Sequence, residues 1–352
     1  MAASSPIVTF FTTCDATYFP GLVALLNSLR LMGHSDELVV ADCGLFGWQR
    51  DLLERYCTIF DLPDLLVSNP TQLKAFPSLV DRPGVSVLID CDIIVCRSLS
   101  EIIRQAGCGQ ICAYPDPEQD RWFAEWTDIF GLHLPLRRQP YVCSGLVAFA
   151  RYSWPKLLGH WWELCGRIGT EPTYKEGVSN TPTSQSDQDA LNALLMSECP
   201  ATAIALQPPG EQIMRWEFRS LQIIDAGTLR CHSALGEPRI LHACLGRKPW
   251  LRHGVRRNAY FELLRRLISA PDIALKVPKE RLPLWLRPGS AAEFTCSVLS
   301  VANMFNPDDG ILPAPALAAA RGFKRRMRAV RGEGSVSSRA MRSWVAGRGS
   351  RE

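Results

Sequence analysis

The sequence predicts an α/β domain built on a mostly parallel sheet covered by helices on both faces. Strand-like and helix-like segments alternate through the first 110 residues, and the strand-like runs are apolar enough to be buried. Composition agrees: 352 residues, 47% hydrophobic and 21% charged, suit one large α/β domain or one domain plus an extension.

Residues 7–12 form an apolar run with β-branched and aromatic side chains, followed by the turn-like Cys14-Asp15-Ala16. Pro20 opens a segment whose Leu22, Leu25, Leu26 and Leu29 share one helix face and which stops near Gly33. Residues 38–41 read as a second buried strand, 48–56 as a helix and 57–60 as a short third strand. Residues 73–80 read as a helix broken by Pro77, and 85–89 as a fourth strand entering Asp90-Cys91-Asp92. Further on, 142–149 reads as a strand, and Ser153 caps a helix through Trp161 and Leu164. A polar loop over 171–185 leads to Ser186-Asp187-Gln188-Asp189, a capping-box pattern before a helix over 190–196. Residues 239–243 form a late strand, and beyond about 266 proline-rich and apolar pieces alternate without a clear period. The chain thus divides into a body over 1–265, an extension over 266–320 and a basic tail over 321–352.

Thirteen cysteines, odd in number and irregularly spaced, argue against a disulfide framework. Residues 1–6 lack a basic region followed by an apolar run, and no apolar stretch approaches ~20 residues, so neither a secretory signal nor a spanning helix is expected. The expectation is reduced thiols in a cytoplasmic protein. Cys91, Cys96, Cys108 and Cys112 raise the question of zinc, but without paired C-x-x-C knuckles they read as buried structural thiols. The net charge of +4 is asymmetric. Residues 321–352 carry Lys324 and nine arginines against Glu333 and Glu352, so +8 sits on the tail and −4 on the rest. Such a tail suits an anionic membrane surface or plain solvation, and the mildly acidic body excludes general nucleic-acid binding.

A mostly parallel sheet places ligands beyond the carboxyl ends of its strands, where the N-terminal turn and Asp90-Cys91-Asp92 fall. Two carboxylates at i and i+2 after a strand point to the same side of extended backbone. Charges beside a buried strand are costly unless a cation compensates, and hard oxygen ligands favour manganese or magnesium, which bridge to diphosphate. The same apolar-strand-D-x-D pattern opens the phosphatase motif of the haloacid dehalogenase superfamily, with Asp90 as nucleophile. That motif wants Thr or Val where Ile94 stands, and it usually lies on the first strand. His242 ends the late strand and is followed by Gly246, Lys248, Pro249 and Trp250. An imidazole can complete a metal site begun by two carboxylates, and Lys248 can neutralise a leaving diphosphate.

Thr12-Thr13-Cys14-Asp15, Asp90-Cys91-Asp92, Ser186-Asp187-Gln188-Asp189 with Asn192, and His242 with Lys248-Pro249-Trp250 together resemble the ordered motifs of glycosyltransferase family 8 over roughly residues 7–265. The resemblance implies a GT-A fold, a UDP-sugar donor, manganese, and transfer with retention to a glycan, glycolipid or protein acceptor. Carried over residue by residue, Asp90, Asp92 and His242 hold the metal. Thr12, Thr13, Cys14 and Tyr18 form the uridine pocket, Lys74 and Cys91 belong to the donor site, and Gly246 and Lys248 contact diphosphate. Asp187 and Gln188 sit beside the transferred sugar, Asp187 as a nucleophile or Gln188 as a stabiliser of an oxocarbenium-like sugar. Three departures stand out. Cys143 replaces a donor-contacting asparagine, Gly246 lies four rather than three residues after His242, and the uridine-loop tyrosine is displaced by one. Residues 116–141, with Asp120, Trp122, Trp126 and Arg137, are the expected acceptor region. A nucleotide-sugar-binding protein without transfer activity is the other reading.

Overall fold

The computed structural model describes residues 6–62, 72–168, 180–244 and 247–304. Gly246, most of the 171–185 loop, the end of the 266–320 extension and the whole basic tail over 321–352 lie outside the described residues. The chain order is β1 (Val8–Cys14), α1 (Phe19–Leu31), β2 (Glu37–Asp42), α2 (Gly47–Leu53), β3 (Thr58–Asp61), a 3-10 segment (Gln72–Leu79), β4 (Val85–Ile89), β5 (Ile93–Val95), α3 (Ser100–Gly107) and β6 (Ile111–Pro115). Then come α4 (Trp126–Ile129), β7 (Val142–Ala150), α5 (Leu157–Arg167), α6 (Asp187–Glu198), β8 (Ile204–Leu206) and β9 (Gln212–Met214). A hairpin of β10 (Gln222–Asp225) and β11 (Arg230–His232), β12 (Ile240–His242), α7 (Ala259–Ser269) and α8 (Ser290–Met304) complete it.

The central sheet has the order β3-β2-β1-β4-β7-β6-β8. Its pairings are parallel except where β7 runs antiparallel to β4 and β6. Alternation along the strands splits the core by face. Phe10, Val87 and Ile89 join α1 and α7 in one cluster, while Phe11, Leu88 and Val147 join α5 and α6 in the other. The reversal of β7 matters most for function. Because Ile89 pairs with Leu146, the start of β7 reaches the same edge as the ends of β1, β4 and β6. A second sheet, β5-β12-β9, stands beyond that edge, with His242 beside Ile93 and Met214.

Several elements differ from the sequence reading. The α5 helix begins at Leu157 rather than at Ser153, and Lys156 precedes it without a side-chain cap; Pro155 lies in the turn before it. The α6 helix begins at Asp187, three residues earlier than predicted, and Ser186 adopts φ +53° with no capping bond from its side chain. The capping box does not form because its acidic side chain is held elsewhere, as described below. The 265 boundary falls inside α7, whose apolar face continues through Leu267 and Ile268. Residues beyond it are stitched to the body: Asn27 Nδ2 donates to the carbonyls of Leu267 (2.7 Å) and Leu275 (2.8 Å). All thirteen cysteines are free thiols. Among the described residues, no helix is long and apolar enough to cross a membrane.

Candidate active site

At the end of β4 the chain reverses through Asp90–Ile93, closed by the Ile93 N–H donating to the Asp90 carbonyl at 3.1 Å. The two acids therefore ride on a tight turn, not on extended backbone, because β5 must fold back to pair with β12. The turn is pinned from behind. Tyr260 Oη donates to the Asp92 carbonyl at 2.8 Å, and the Ala243 N–H does so at 3.1 Å. His242 Nε2 lies 3.4 Å from Asp90 Oδ2 and 3.3 Å from Asp92 Oδ1. Among the described residues, these three form the His/Cys/Asp/Glu group able to hold an ion, with ligand atoms within 4.8 Å of one another.

The donor set fits a divalent cation. Two carboxylate oxygens and an imidazole nitrogen are hard to borderline ligands, and Asp92 Oδ1 is buried without a hydrogen bond, facing the His242 ring at 3.3 Å. An orphaned buried oxygen is costly unless something positive meets it. The imidazole is held in place by its surroundings. A Cβ at Gly145 would meet His242 Cε1 at 2.4 Å, so only glycine lets the ring lie against β7. Behind it, the Gln212 amide Nε2 is 3.3 Å from His242 Nδ1.

A lysine flanks each acid. Lys248 Nζ bonds Asp92 Oδ2 at 2.6 Å and the Ala243 carbonyl at 2.7 Å, and sits 5.3 Å over the Tyr18 ring. Lys74 Nζ lies 2.8 Å from Asp90 Oδ1 and 3.3 Å from Asp187 Oδ2, and also bonds Ser144 Oγ at 3.0 Å. Burial opposes ionisation of both metal-site acids, yet Lys248 and His242 hold Asp92 far below the ordinary carboxylate range. Lys74 and His242 likewise lower Asp90. For Asp187 burial wins, and its carboxyl is raised despite Lys74. Burial also pushes Tyr18 up to about 12.

Asp187 and Gln188 reach the site through the start of β7. Ser144 Oγ donates to Asp187 Oδ2 at 2.8 Å, and the Ser144 N–H donates to Gln188 Oε1 at 2.9 Å. Gln188 Nε2 in turn donates to Asp116 Oδ2 at 3.0 Å, tying in the end of β6. Asn192 clamps α6 to β7 by bonding both backbone groups of Val142, at 2.7 and 2.8 Å.

These side chains surround a cavity of about 510 Å³. Of the sequence-predicted residues, Thr13, Cys14, Tyr18, Lys74, Asp90, Cys91, Asp92, Asp187, Gln188, His242 and Lys248 line it. Thr12 does not: it is paired within β1 opposite Val40, and its side chain is buried in the sheet. The acceptor region divides. Asp116, Pro117 and Glu118 line the cavity, whereas Trp126 is fully buried against Tyr141 and the Arg137 guanidinium is bonded to the Cys199 carbonyl. Trp122 and Asp120 line an adjoining open recess that shares Pro117 and Glu118 with the cavity, and Arg138 lies 4.3 Å over the Trp122 ring. Sequence reasoning missed Ser144, Gly145, Gln212, Met214, Trp216 and Cys244. Only the Ser144-Gly145 pair, next to Cys143, carried a local signal.

The sequence matches no protein-family model and no curated protein. Solved structures do match. An active-site variant of LgtC overlays with a TM-score of 0.52 at 16% identity, covering 77% of this chain and 98% of that one. The bifunctional glycosyltransferase WbbM without ligand gives 0.52 at 14% identity, over 77% of this chain and 51% of its own. The galactosyltransferase LgtC with donor and acceptor sugar analogs gives 0.49 at 16% identity, over 75% and 98%. The fold is a GT-A glycosyltransferase fold, a mostly parallel sheet flanked by helices.

Proposed function

We propose that this chain is a retaining, metal-dependent glycosyltransferase akin to family 8. It would move a hexose from a UDP-sugar to a glycan, glycolipid or protein acceptor. The observation that carries the reading is the convergence of Asp90, Asp92 and His242 in one cavity, with Lys248 and Lys74 on its two flanks. Manganese, or magnesium in its place, would supply the positive charge that a departing diphosphate requires. Lys248 stands between the Tyr18 ring and the acids, where a nucleotide with its base on Tyr18 would set its phosphates. Its ammonium stays charged, since Asp92 raises it against the effect of burial, so it can offset charge developing on the bridging oxygen. Thr13 and Cys14, at the end of β1, fit the rim of the same nucleoside site.

Asp187 is our nominee for the nucleophile that retention through two inversions needs, and Gln188 for a polar neighbour of the transferred sugar. Lys74 bridges Asp187 to Asp90 and so couples the sugar side to the ion side. The phosphatase reading leaves the approach of His242 to both acids without a purpose. The test is a screen of UDP-sugars with manganese for UDP release, comparing wild type with Asp92→Ala. Slow release lost in the variant supports the reading. Release of inorganic phosphate from phosphomonoesters with no UDP-sugar hydrolysis would favour the phosphatase, and UDP binding without hydrolysis or transfer would favour a binding protein. An Asp187→Ala variant rescued by azide, with inverted glycosyl azide as product, would identify the nucleophile.

A further inference from the structure

Among the described residues, one tryptophan is left exposed. Of the nine described tryptophans, eight are buried or half-buried, whereas Trp216 is 53% exposed and lines the active-site cavity. Its position follows from strand register. Met214 ends β9 opposite His242, so Trp216 lies two residues beyond the ion-binding imidazole, past the carboxyl edge. The segment around it is fixed. The Met214 N–H donates to Glu217 Oε2 at 2.9 Å across a 3-10 turn. The next residue, Phe218, is buried and stacks on Tyr260 at 4.8 Å and 13°. Tyr260 is the residue whose hydroxyl holds the Asp92 carbonyl. Trp216 is thus an indole carried on an anchored segment and left about half exposed at the cavity.

The same cavity carries Asp116 and Glu118, which follow β6. Asp116 is anchored by Gln188, and Glu118 is exposed. A flat apolar face near carboxylates matches a pyranose, which has a C–H face to stack and a hydroxyl edge to donate. An alkyl chain laid there would desolvate the acids without replacing their hydrogen bonds. We propose that Trp216 is the platform for the acceptor and that the acceptor unit it takes is a pyranose sugar, bound with its hydroxyls toward Asp116 and Glu118. This rests on the glycosyltransferase reading above. It adds the acceptor class and the residue that selects it.

The experiment uses the full chain with manganese and UDP-glucose or UDP-galactose, and lactose, cellobiose and maltose as acceptor probes. UDP release is followed against disaccharide concentration for wild type, Trp216→Ala and Trp216→Phe. The expected result is a rise of about tenfold in disaccharide KM for the alanine variant, a smaller change in kcat, and partial recovery with phenylalanine. UDP affinity by calorimetry stays at the wild-type value. Intrinsic fluorescence of the wild type shifts with the productive disaccharide, and that shift is missing in Trp216→Ala. Loss of UDP affinity in Trp216→Ala would make the indole a base platform and overturn the proposal. So would an unchanged disaccharide KM, or acceleration by a serine or tyrosine peptide and by no disaccharide. If wild type releases no UDP from any UDP-sugar, the glycosyltransferase reading itself has failed. Absence of any disaccharide-dependent fluorescence change then removes the sugar platform as well.

Discussion

The chain contains the pattern D-x-D twice at its site, as Asp90-Cys91-Asp92 and Asp187-Gln188-Asp189, and the backbone gives the two pairs different fates. In the turn after β4, both carboxylates come within 3.4 Å of the His242 imidazole, and one oxygen is left without a hydrogen bond. At the start of α6, residues two apart point to nearly opposite sides of a helix. Asp187 faces the cavity, while Asp189 turns to a buried cluster where Arg121 Nε bonds it at 2.7 Å and Tyr141 Oη at 2.8 Å. The Gln185 N–H completes that cluster at 2.7 Å. Asp189 is fully partnered inside the protein, whereas Asp90, Asp92 and Asp187 line the cavity. Motif spacing acquires chemical meaning only through the local dihedral angles.

This contrast can be broken by substitution. The largest expected effect is on turnover from Asp92→Ala, which removes a ligand and leaves Lys248 buried without its partner. UDP release should fall by roughly 10³-fold or more. Next is Asp189→Ala, which strands the buried Arg121 guanidinium. A loss of about 3–5 kcal/mol is expected from denaturant unfolding, with manganese affinity retained in whatever fraction stays folded. Gly145→Ala should act on the ring alone. By pushing His242 off its seat it should weaken manganese binding by about 10–100-fold, read by electron paramagnetic resonance, with a small change in melting temperature.

The smallest effect is on stability, from Asp187→Asn. Burial raises the Asp187 carboxyl above its unfolded value, so the folded state keeps this proton to higher pH. Its ionisation costs no stability below the unfolded value of about 4, and costs progressively more as pH rises through the window above it. The asparagine variant lacks that cost. In metal-free protein its melting temperature should gain on wild type as pH is raised from 4 toward 7, even as turnover drops. A wild-type advantage that grows with pH would mean that the pairing with Lys74 outweighs burial.

The elements that fix the site were largely legible in sequence. The run 7–12, the strand entering Asp90 and the strand ending at His242 each had a strong local pattern. The turn at Asp90–Ile93 was not legible, because the three-residue strand behind it is defined only by its distant partner β12. The reversal of β7 was equally silent, since an apolar run has no direction. That reversal brings Ser144 and Gly145 to the acids, which explains why both were missed as site residues. The misread capping box has a similar origin. Ser186 and Asp189 satisfy the local motif, but Arg121 and Tyr141, 68 and 48 residues away in the chain, hold the carboxylate more strongly than a helix end does. Trp216 had no periodicity to mark it, and only its failure to be buried sets it apart.

The most direct test is manganese binding to the purified chain in the presence of UDP, counted by electron paramagnetic resonance for wild type, Asp90→Ala, Asp92→Ala and His242→Ala. One ion per wild-type chain, lost or strongly weakened in all three variants while Asp189→Glu keeps it, is the expected result. Binding that survives removal of the His242 imidazole unchanged would contradict the shared site on which the proposed activity depends.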